Sequence, residues 1–331
     1  MNTAARQAVV NLGDVELMVI ALAADDTEVL GFELKGKAYR WNLLSGAQLS
    51  GPVKMDVRTI WTVPAVPDNR EIVIGCGDGT VRRLDRVTGS PLADPFIAPH
   101  PSRVRGLAHS RDAEELVSAH QDGTVRRWKR TTGSPLGDPL RGHAGTVRAV
   151  ALTPEEDEIV SVGQDGTVRR WKREDGTPIG PPLVGHTGGV QAVGAGPSGV
   201  IASGGRDGTV RRWDRRTGKP LGAPLVTGSP VRTVLLTRDG EIAAGCADGT
   251  LHRWDPTGQR IGEVLPAHTY GLPSMALTRD ETELVTYGWD GAIRRWARIT
   301  GEPTRPPGDP DRAETRVGAV SLLEIRGTTP F

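Results

Sequence analysis

An all-β fold is predicted, a seven-bladed β-propeller of four-stranded antiparallel blades, and three observations predict it. First, one phrase returns along the chain. It reads DGTVRRW at 122–128, 165–171 and 207–213, DGTVRRL at 78–84, DGTLHRW at 248–254, DGAIRRW at 290–296 and KGKAYRW at 35–41. Second, its last residue falls at 41, 84, 128, 171, 213, 254 and 296, a step of 41 to 44 residues. A constant step of that size marks a repeat architecture. Third, glycine (43) and proline (25) are spread through the repeats rather than clustered in a linker, as many short strands with tight turns require. Such repeats stack as blades around a central channel.

The repeat 142–171 shows how each element arises. VRAVAL at 147–152 reads as an apolar strand, TPEED at 153–157 as a turn and EIVSV at 158–162 as a second strand. Asp165-Gly166 is a short-range hairpin signal, so 167–171 returns as a third strand. The segment 177–183 (TPIGPPL) is expected as the outermost strand, because proline removes a ladder donor and belongs on an edge. The whole chain, 1–331, is read as one domain with a repeat core at 14–300.

Composition bounds the function. A net charge of +1 with 24% charged residues leaves no basic or acidic tail as a theme. The apolar run 17–24 follows Asp14 and Glu16 and is too short for a signal peptide. No run approaches the roughly 18 residues needed to span a membrane. Cys76 and Cys246 belong to repeats three blades apart, too far for a disulfide. Reduced thiols fit a cytoplasmic protein.

Gly142-His143 followed by Ser161, Asp165 and Trp171 resembles the signature of the WD-repeat family, whose His, Ser or Thr, Asp and Trp form a hydrogen-bonded tetrad in each blade. The resemblance implies four complete sets. They are His100, Ser118, Asp122 and Trp128 in blade 3, and His143, Ser161, Asp165 and Trp171 in blade 4. Blade 5 has His186, Ser203, Asp207 and Trp213, and blade 7 has His268, Thr286, Asp290 and Trp296. Blades 1, 2 and 6 depart from the pattern. The linkers 132–140 and 217–225 resemble those of bacterial members of the family. The implied role is a rigid platform for proteins or peptides, with no catalytic residue and no cofactor or metal. A hydrolase reading of the His, Ser and Asp trio fails because the trio repeats beside a Trp in several blades, as a structural network does.

A propeller needs a latch, since open sheet edges invite wrong pairing. Residues 4–12 fall in the register of an outer strand of the last blade. Blade 7's own outer segment, 302–310, holds four prolines and is a poor strand. Within 301–331, the strand-like segment 316–326 is the rival latch.

Arginine precedes the phrase's last residue in every repeat, at 40, 83, 127, 170, 212, 253 and 295. Glutamate opens most second strands, at 28, 71, 115, 158, 241 and 283, and these two series are expected to pair between or along blades. Arginine stems lying over apolar surface are the alternative. At the end carrying the Asp-Gly turns, Trp61, Arg103, Arg105, Arg148, Gln191, Arg206, Arg232, Tyr270 and Trp289 are the candidate partner-binding residues, with Arg58 and Thr146 beside them. Arg, Trp and Tyr dominate interface hot spots. The opposite end alternates acidic hairpins with basic loops and is expected to neutralise itself. The expected partner is a protein or acidic peptide. A small anionic ligand or substrate at the channel mouth is the alternative. Nucleic acid is disfavoured because the chain has no basic stripe.

Overall fold

The computed structural model describes residues 9–11, 17–23, 25–55, 57, 59–63, 70–98, 100–110, 112, 114–197, 199–301, 304 and 324–326. These form strands and turns with no helix. Apart from β1 (Val9–Asn11) and the last strand, the strands fall into seven antiparallel sheets, one per repeat. Blade 1 holds β2 (Leu17–Leu22), β3 (Glu28–Glu33), β4 (Lys37–Asn42) and β5 (Gln48–Lys54). Blade 2 holds β6 (Ile60–Thr62), β7 (Glu71–Cys76) and β8 (Val81–Asp85), and blade 3 holds β9 (Val104–His109), β10 (Glu115–His120) and β11 (Val125–Lys129). Blade 4 has β12 (Val147–Leu152), β13 (Glu158–Gly163), β14 (Thr167–Lys172) and β15 (Leu183–Val184). Blade 5 has β16 (Val190–Ala195), β17 (Val200–Gly205), β18 (Thr209–Asp214) and β19 (Leu225–Val226). Blade 6 has β20 (Val231–Leu236), β21 (Ile242–Cys246) and β22 (Leu251–Trp254), and blade 7 has β23 (Ser274–Leu277), β24 (Glu283–Tyr287) and β25 (Ile293–Ala297).

The outermost strand is shorter than its sequence suggests. In blade 4 it is reduced to Leu183–Val184, with Trp171 opposite Pro178 as an isolated bridge. Prolines 178, 181 and 182 supply no ladder donor, so the pairing is interrupted. Among the described residues, blades 2, 3 and 6 keep only such bridges at this edge.

The core lies between blades. Trp171 of blade 4 packs with Val117, Val125 and Leu140 of blade 3. Trp213 packs with Val160, Val168 and Leu183 of blade 4. Trp296 of blade 7 packs with Ala243 and Leu251 of blade 6. Leu17, Ile20 and Trp41 of blade 1 share a cluster with Val285, Tyr287 and Ile293 of blade 7. The backbone N–H of Leu17 donates to the Tyr287 hydroxyl at 3.1 Å, and that of Arg279 to Asp26 at 2.6 Å. Neither candidate latch pairs with blade 7 in the described residues. Instead β1 lies parallel to β26 (Glu324–Arg326), so the two rivals meet each other. The remainder of both latch segments, and 302–310 apart from Thr304, lie outside the described residues.

Three blades carry a hydrogen-bonded tetrad. In blade 4, Trp171 Nε1–H donates to Ser161 Oγ at 2.9 Å, the Ser161 hydroxyl lies 2.8 Å from His143 Nε2, and His143 Nδ1 lies 3.0 Å from Asp165. Burial lowers the His143 pKa against the pull of Asp165, which favours the neutral ring. With the carboxylate accepting from Nδ1–H, Nε2 accepts from the serine. Blade 5 repeats the geometry: Trp213 donates to Ser203 at 2.9 Å, Ser203 lies 2.8 Å from His186, and His186 lies 3.0 Å from Asp207. In blade 7 a threonine hydroxyl takes the serine's place. Trp296 Nε1–H donates to Thr286 Oγ1 at 2.9 Å, Thr286 Oγ1 lies 2.8 Å from His268 Nε2, and His268 Nδ1 lies 2.9 Å from Asp290. Thr286 is fully buried and Trp296 nearly so, which makes both structural residues with no surface to offer a partner.

Blade 3 corrects the expected set. His100 is exposed, and the histidine on Ser118 is His120, with Nε2 2.8 Å from the hydroxyl and Nδ1 2.8 Å from the Ser102 carbonyl. Trp128 still donates to Ser118 at 2.7 Å, but Asp122 accepts from Arg126, also at 2.7 Å, in place of a histidine. The cause is steric. The position of His120 is glycine in each blade with a full tetrad: Gly163, Gly205 and Gly288. A Cβ there would lie 2.5, 2.3 and 2.2 Å from the tetrad histidine's ring. A side chain at 120 therefore closes the slot to His100.

Blades are also tied by charge. Glu115 accepts from Arg127 of its own blade at 3.0 Å and from Arg173 of blade 4 at 2.7 Å. Glu28 accepts from Arg40 and from Arg86 of blade 2, each at 2.7 Å. Glu71 joins Arg83 to Arg130 of blade 3, and Glu241 accepts from Arg298 of blade 7 at 2.9 Å, with Arg253 within 3.9 Å. The second arginine stands two residues after the phrase's last residue. Where blade 5 has Val200 in place of glutamate, blade 6 has Pro256 in place of that arginine, and Arg212 donates to the Pro256 carbonyl at 2.9 Å.

Candidate binding face on the inner strands

The innermost strands lie side by side in blade order, and β2 lies beside both β6 and β23. In blades 1 to 6 each pairs with its neighbour in the blade through a ladder that slips by one residue near its start. In blade 3, His120 pairs with Val104 and Ala119 with Gly106, so Arg105 is left over. The same slip leaves Met18, Trp61, Arg148, Gln191 and Arg232 unpaired in blades 1, 2, 4, 5 and 6. A β-bulge of this kind re-aims the extra side chain away from the regular alternation. Five of the nine candidate residues, Trp61, Arg105, Arg148, Gln191 and Arg232, thus occupy one equivalent position in five successive blades.

Their surroundings are cationic and aromatic. The Arg105 guanidinium lies 4.2 Å from the Trp61 ring centre, and that of Arg232 lies 5.1 Å from Trp289. Stacking of this kind suits the weakly hydrated guanidinium. Arg105 also donates to Gln121 at 3.2 Å. Burial, then the charges of Arg148 and Arg103, depress the pKa of Arg105. Burial followed by Arg206 and Arg232 does the same to Arg148, and burial with Arg206 to Arg232. The arginines therefore share one field, and among the described residues none of the three is paired with an acid. Arg103, Arg206 and Tyr270 are exposed around them, and Trp289 is half-buried in the turn before Asp290. Thr146 donates to the Gln121 carbonyl at 3.3 Å, while Arg58 lies outside the described residues.

Other reactive groups are sequestered. Burial pushes the thiols of Cys76 and Cys246 up to about 11, which leaves them protonated and inert near neutral pH. Ser118, Ser161, Ser203 and Thr286 are fully buried, each accepting from its tryptophan. Displaced His100 lines a cavity of about 330 Å³ with Asp122, Arg126 and Trp128. Among the described residues no group of three His, Cys, Asp or Glu is placed to hold a metal ion.

The slip was not legible from the sequence. Its nearest signal is the run of Arg or Gln after valine in VR, VR, VQ and VR at 104, 147, 190 and 231.

The family model described as WD domain, G-beta repeat matches residues 95–129, 133–172 and 177–214. No curated protein matches the chain. Among solved structures, the crystal structure of the computationally designed Ika8 protein is similar, with 25% identity, a TM-score of 0.70, and coverage of 96% of this chain and 94% of that one. Many further solved chains match, so structural likeness singles out no function.

Proposed function

We propose that this chain is a WD-repeat β-propeller protein and serves as a non-catalytic scaffold that captures an acidic protein or peptide on the face carrying its inner-strand bulges. One observation carries the reading. Arg103, Arg105, Arg148, Arg206 and Arg232 share one face, and none of them forms an ion pair with a described residue. At the other end of the blades, Arg130, Arg173, Arg215 and Arg298 are each held by a glutamate or aspartate of the preceding blade. Uncompensated charge is the surface free to recruit an anionic partner, speeding encounter and setting specificity. WD40 repeats are in general platforms for protein interaction, which agrees. A cytoplasmic site of action fits the two reduced thiols.

We infer in addition that the blades form a closed ring latched by the terminal strands. The support is the shared cluster of blades 1 and 7 and the position of β26, which pairs with β1, beside β25 of blade 7. Deleting residues 1–12 is then expected to cause aggregation through an unpaired edge. A monodisperse deletion variant would refute the latch.

The test of the binding face is a paired pulldown and melting curve on the double variant Arg105→Glu, Arg148→Glu. Partner capture should fall, most at low salt, with the fold retained. Full capture by this variant, with loss on substituting residues 155–158, would move the binding site to the opposite end.

A further inference from the structure

The residues at the bulge position are not uniform around the blades. Blades 3 to 6 present Arg105, Arg148, Gln191 and Arg232, all hydrogen-bond donors. Blades 1 and 2 present Met18 and Trp61, and Pro273 stands just before β23 in blade 7. One arc is thus polar and cationic and the other apolar. Arg148 and Arg232 make no side-chain hydrogen bond or ion pair with any described residue, and Arg105 makes one, to Gln121. The Nε atoms of all three arginines, and Nε2 of Gln191, are shut off from water with no partner among the described residues, a state shared by Nε of Arg169, Arg170, Arg211, Arg212 and Arg253, so the arc is set apart by its grouping of like charges rather than by these atoms alone. Buried donors are nearly always satisfied. An arc of four successive unsatisfied ones, like-charged at three positions, is poorly suited to holding the fold together and well suited to an anion.

We propose that the polar arc is a binding site for a phosphoryl group, held by Arg105, Arg148 and Arg232 with Gln191 between the last two, and that the group bearing it lies against Trp61 and Met18. This deepens the acidic-partner reading and rests on it for the choice of face. The chemistry favours phosphoryl over carboxylate. A carboxylate offers two oxygens in one plane, whereas donors here come from four blades, and a tetrahedral dianion offers three oxygens to different sides. Guanidinium forks match phosphate oxygens and strengthen when partly desolvated. A polymer of phosphates would need a continuous stripe of cations, and these cations form one compact arc.

The experiment titrates the full chain at constant ionic strength with phenyl phosphate, inorganic phosphate, benzoate and a phosphoserine peptide, read by calorimetry and thermal melting. Saturable binding is expected, tightest for phenyl phosphate among the three small probes and weakest for benzoate. The double variant Arg148→Gln, Arg232→Gln should weaken it about tenfold or more, whereas Arg216→Gln, exposed in an outer loop, should leave it unchanged. Binding of the peptide with the same arginine dependence assigns the phosphoryl to a partner's side chain. Binding of small phosphates alone assigns it to a free ligand. The site is overturned by no saturable binding, by equal binding in the double variant, or by benzoate matching phenyl phosphate. Partner capture is scored separately on the double variant Arg103→Glu, Arg206→Glu. Capture that depends on those residues while no phosphate binds would sink this site alone and leave the scaffold reading standing.

Discussion

A Cβ atom on Gly163 would lie 2.5 Å from Nδ1 of His143. The glycine is there for volume, since its backbone is not in the left-handed region. Gly163→Ala should therefore push the ring off Asp165 and leave the buried Ser161 hydroxyl without its acceptor. The expected loss is roughly 1–3 kcal/mol in urea unfolding. Gly51→Ala, where a Cβ would meet nothing within 4 Å, is the matched control and should be near neutral. Equal effects from the two would show that the tetrad contributes nothing in blade 4.

The reverse experiment is available in blade 3. His120→Gly should empty the slot that His120 blocks and admit His100 to Asp122 and Ser118. The single variant should then be more stable than the double variant His120→Gly, His100→Ala, and the His100 ring should become protected from solvent by NMR. If the two variants melt together, volume at residue 120 is not what excludes His100.

The propeller was legible because its evidence is redundant. The Asp-Gly turn, the tryptophan and the step of 41 to 44 residues recur often enough that worn copies such as 35–41 can be placed by register. The same redundancy puts Thr286 and Trp296 in the repeat's register although their phrase reads DGAIRRW and its hydroxyl comes from threonine, and Trp296 Nε1–H donates to that hydroxyl. Single positions had no such support. His100 has the spacing of a tetrad histidine, but the histidine on Ser118 comes from 20 positions later. The clue is present: a histidine at the tetrad spacing accompanies Gly163, Gly205 and Gly288, while Cys76 and Cys246 stand in blades with no histidine at that spacing. The first arginine of each inter-blade pair was visible in the motif. The second, Arg86, Arg130, Arg173 or Arg298, lies outside the repeated phrase, and its partner lies in another blade. Bulges leave no sequence mark of their own, so in the sequence the candidate face is marked by residue type alone.

Glu115 is the joint between blades 3 and 4. Its side chain is 8% exposed and neutralises both Arg127 and Arg173. Glu115→Gln keeps the volume, removes the charge and leaves two guanidiniums facing one neutral amide. Breaking a buried pair from one side costs about 3–5 kcal/mol. The neutral amide retains some hydrogen bonding, so the lower end of that range is expected from denaturant unfolding. A change under about 0.5 kcal/mol, the scale of an exposed ion pair, would mean that these arginines find water when the glutamate is neutralised.

Acid should weaken the molecule in a defined window. His120 is fully buried, and burial pushes its pKa down from 6.5 to about 4. Between those values the unfolded chain binds a proton that the folded chain refuses. Its contribution is therefore complete above pH 6.5, declines as pH falls through the window and is gone below about 4. Burial also lowers the pKa of His143, His186 and His268, which adds in the same direction. Asp165, Asp207 and Asp290 are held below the ordinary carboxylate value and lose their contribution at still lower pH. For His120 alone the whole effect is roughly 3 kcal/mol. Unfolding free energies measured at intervals from pH 7 to 4 should fall with acidification. His120→Gln, which has no proton to gain, should show a visibly shallower slope across that window. Parallel slopes for the two proteins would place the acid sensitivity elsewhere.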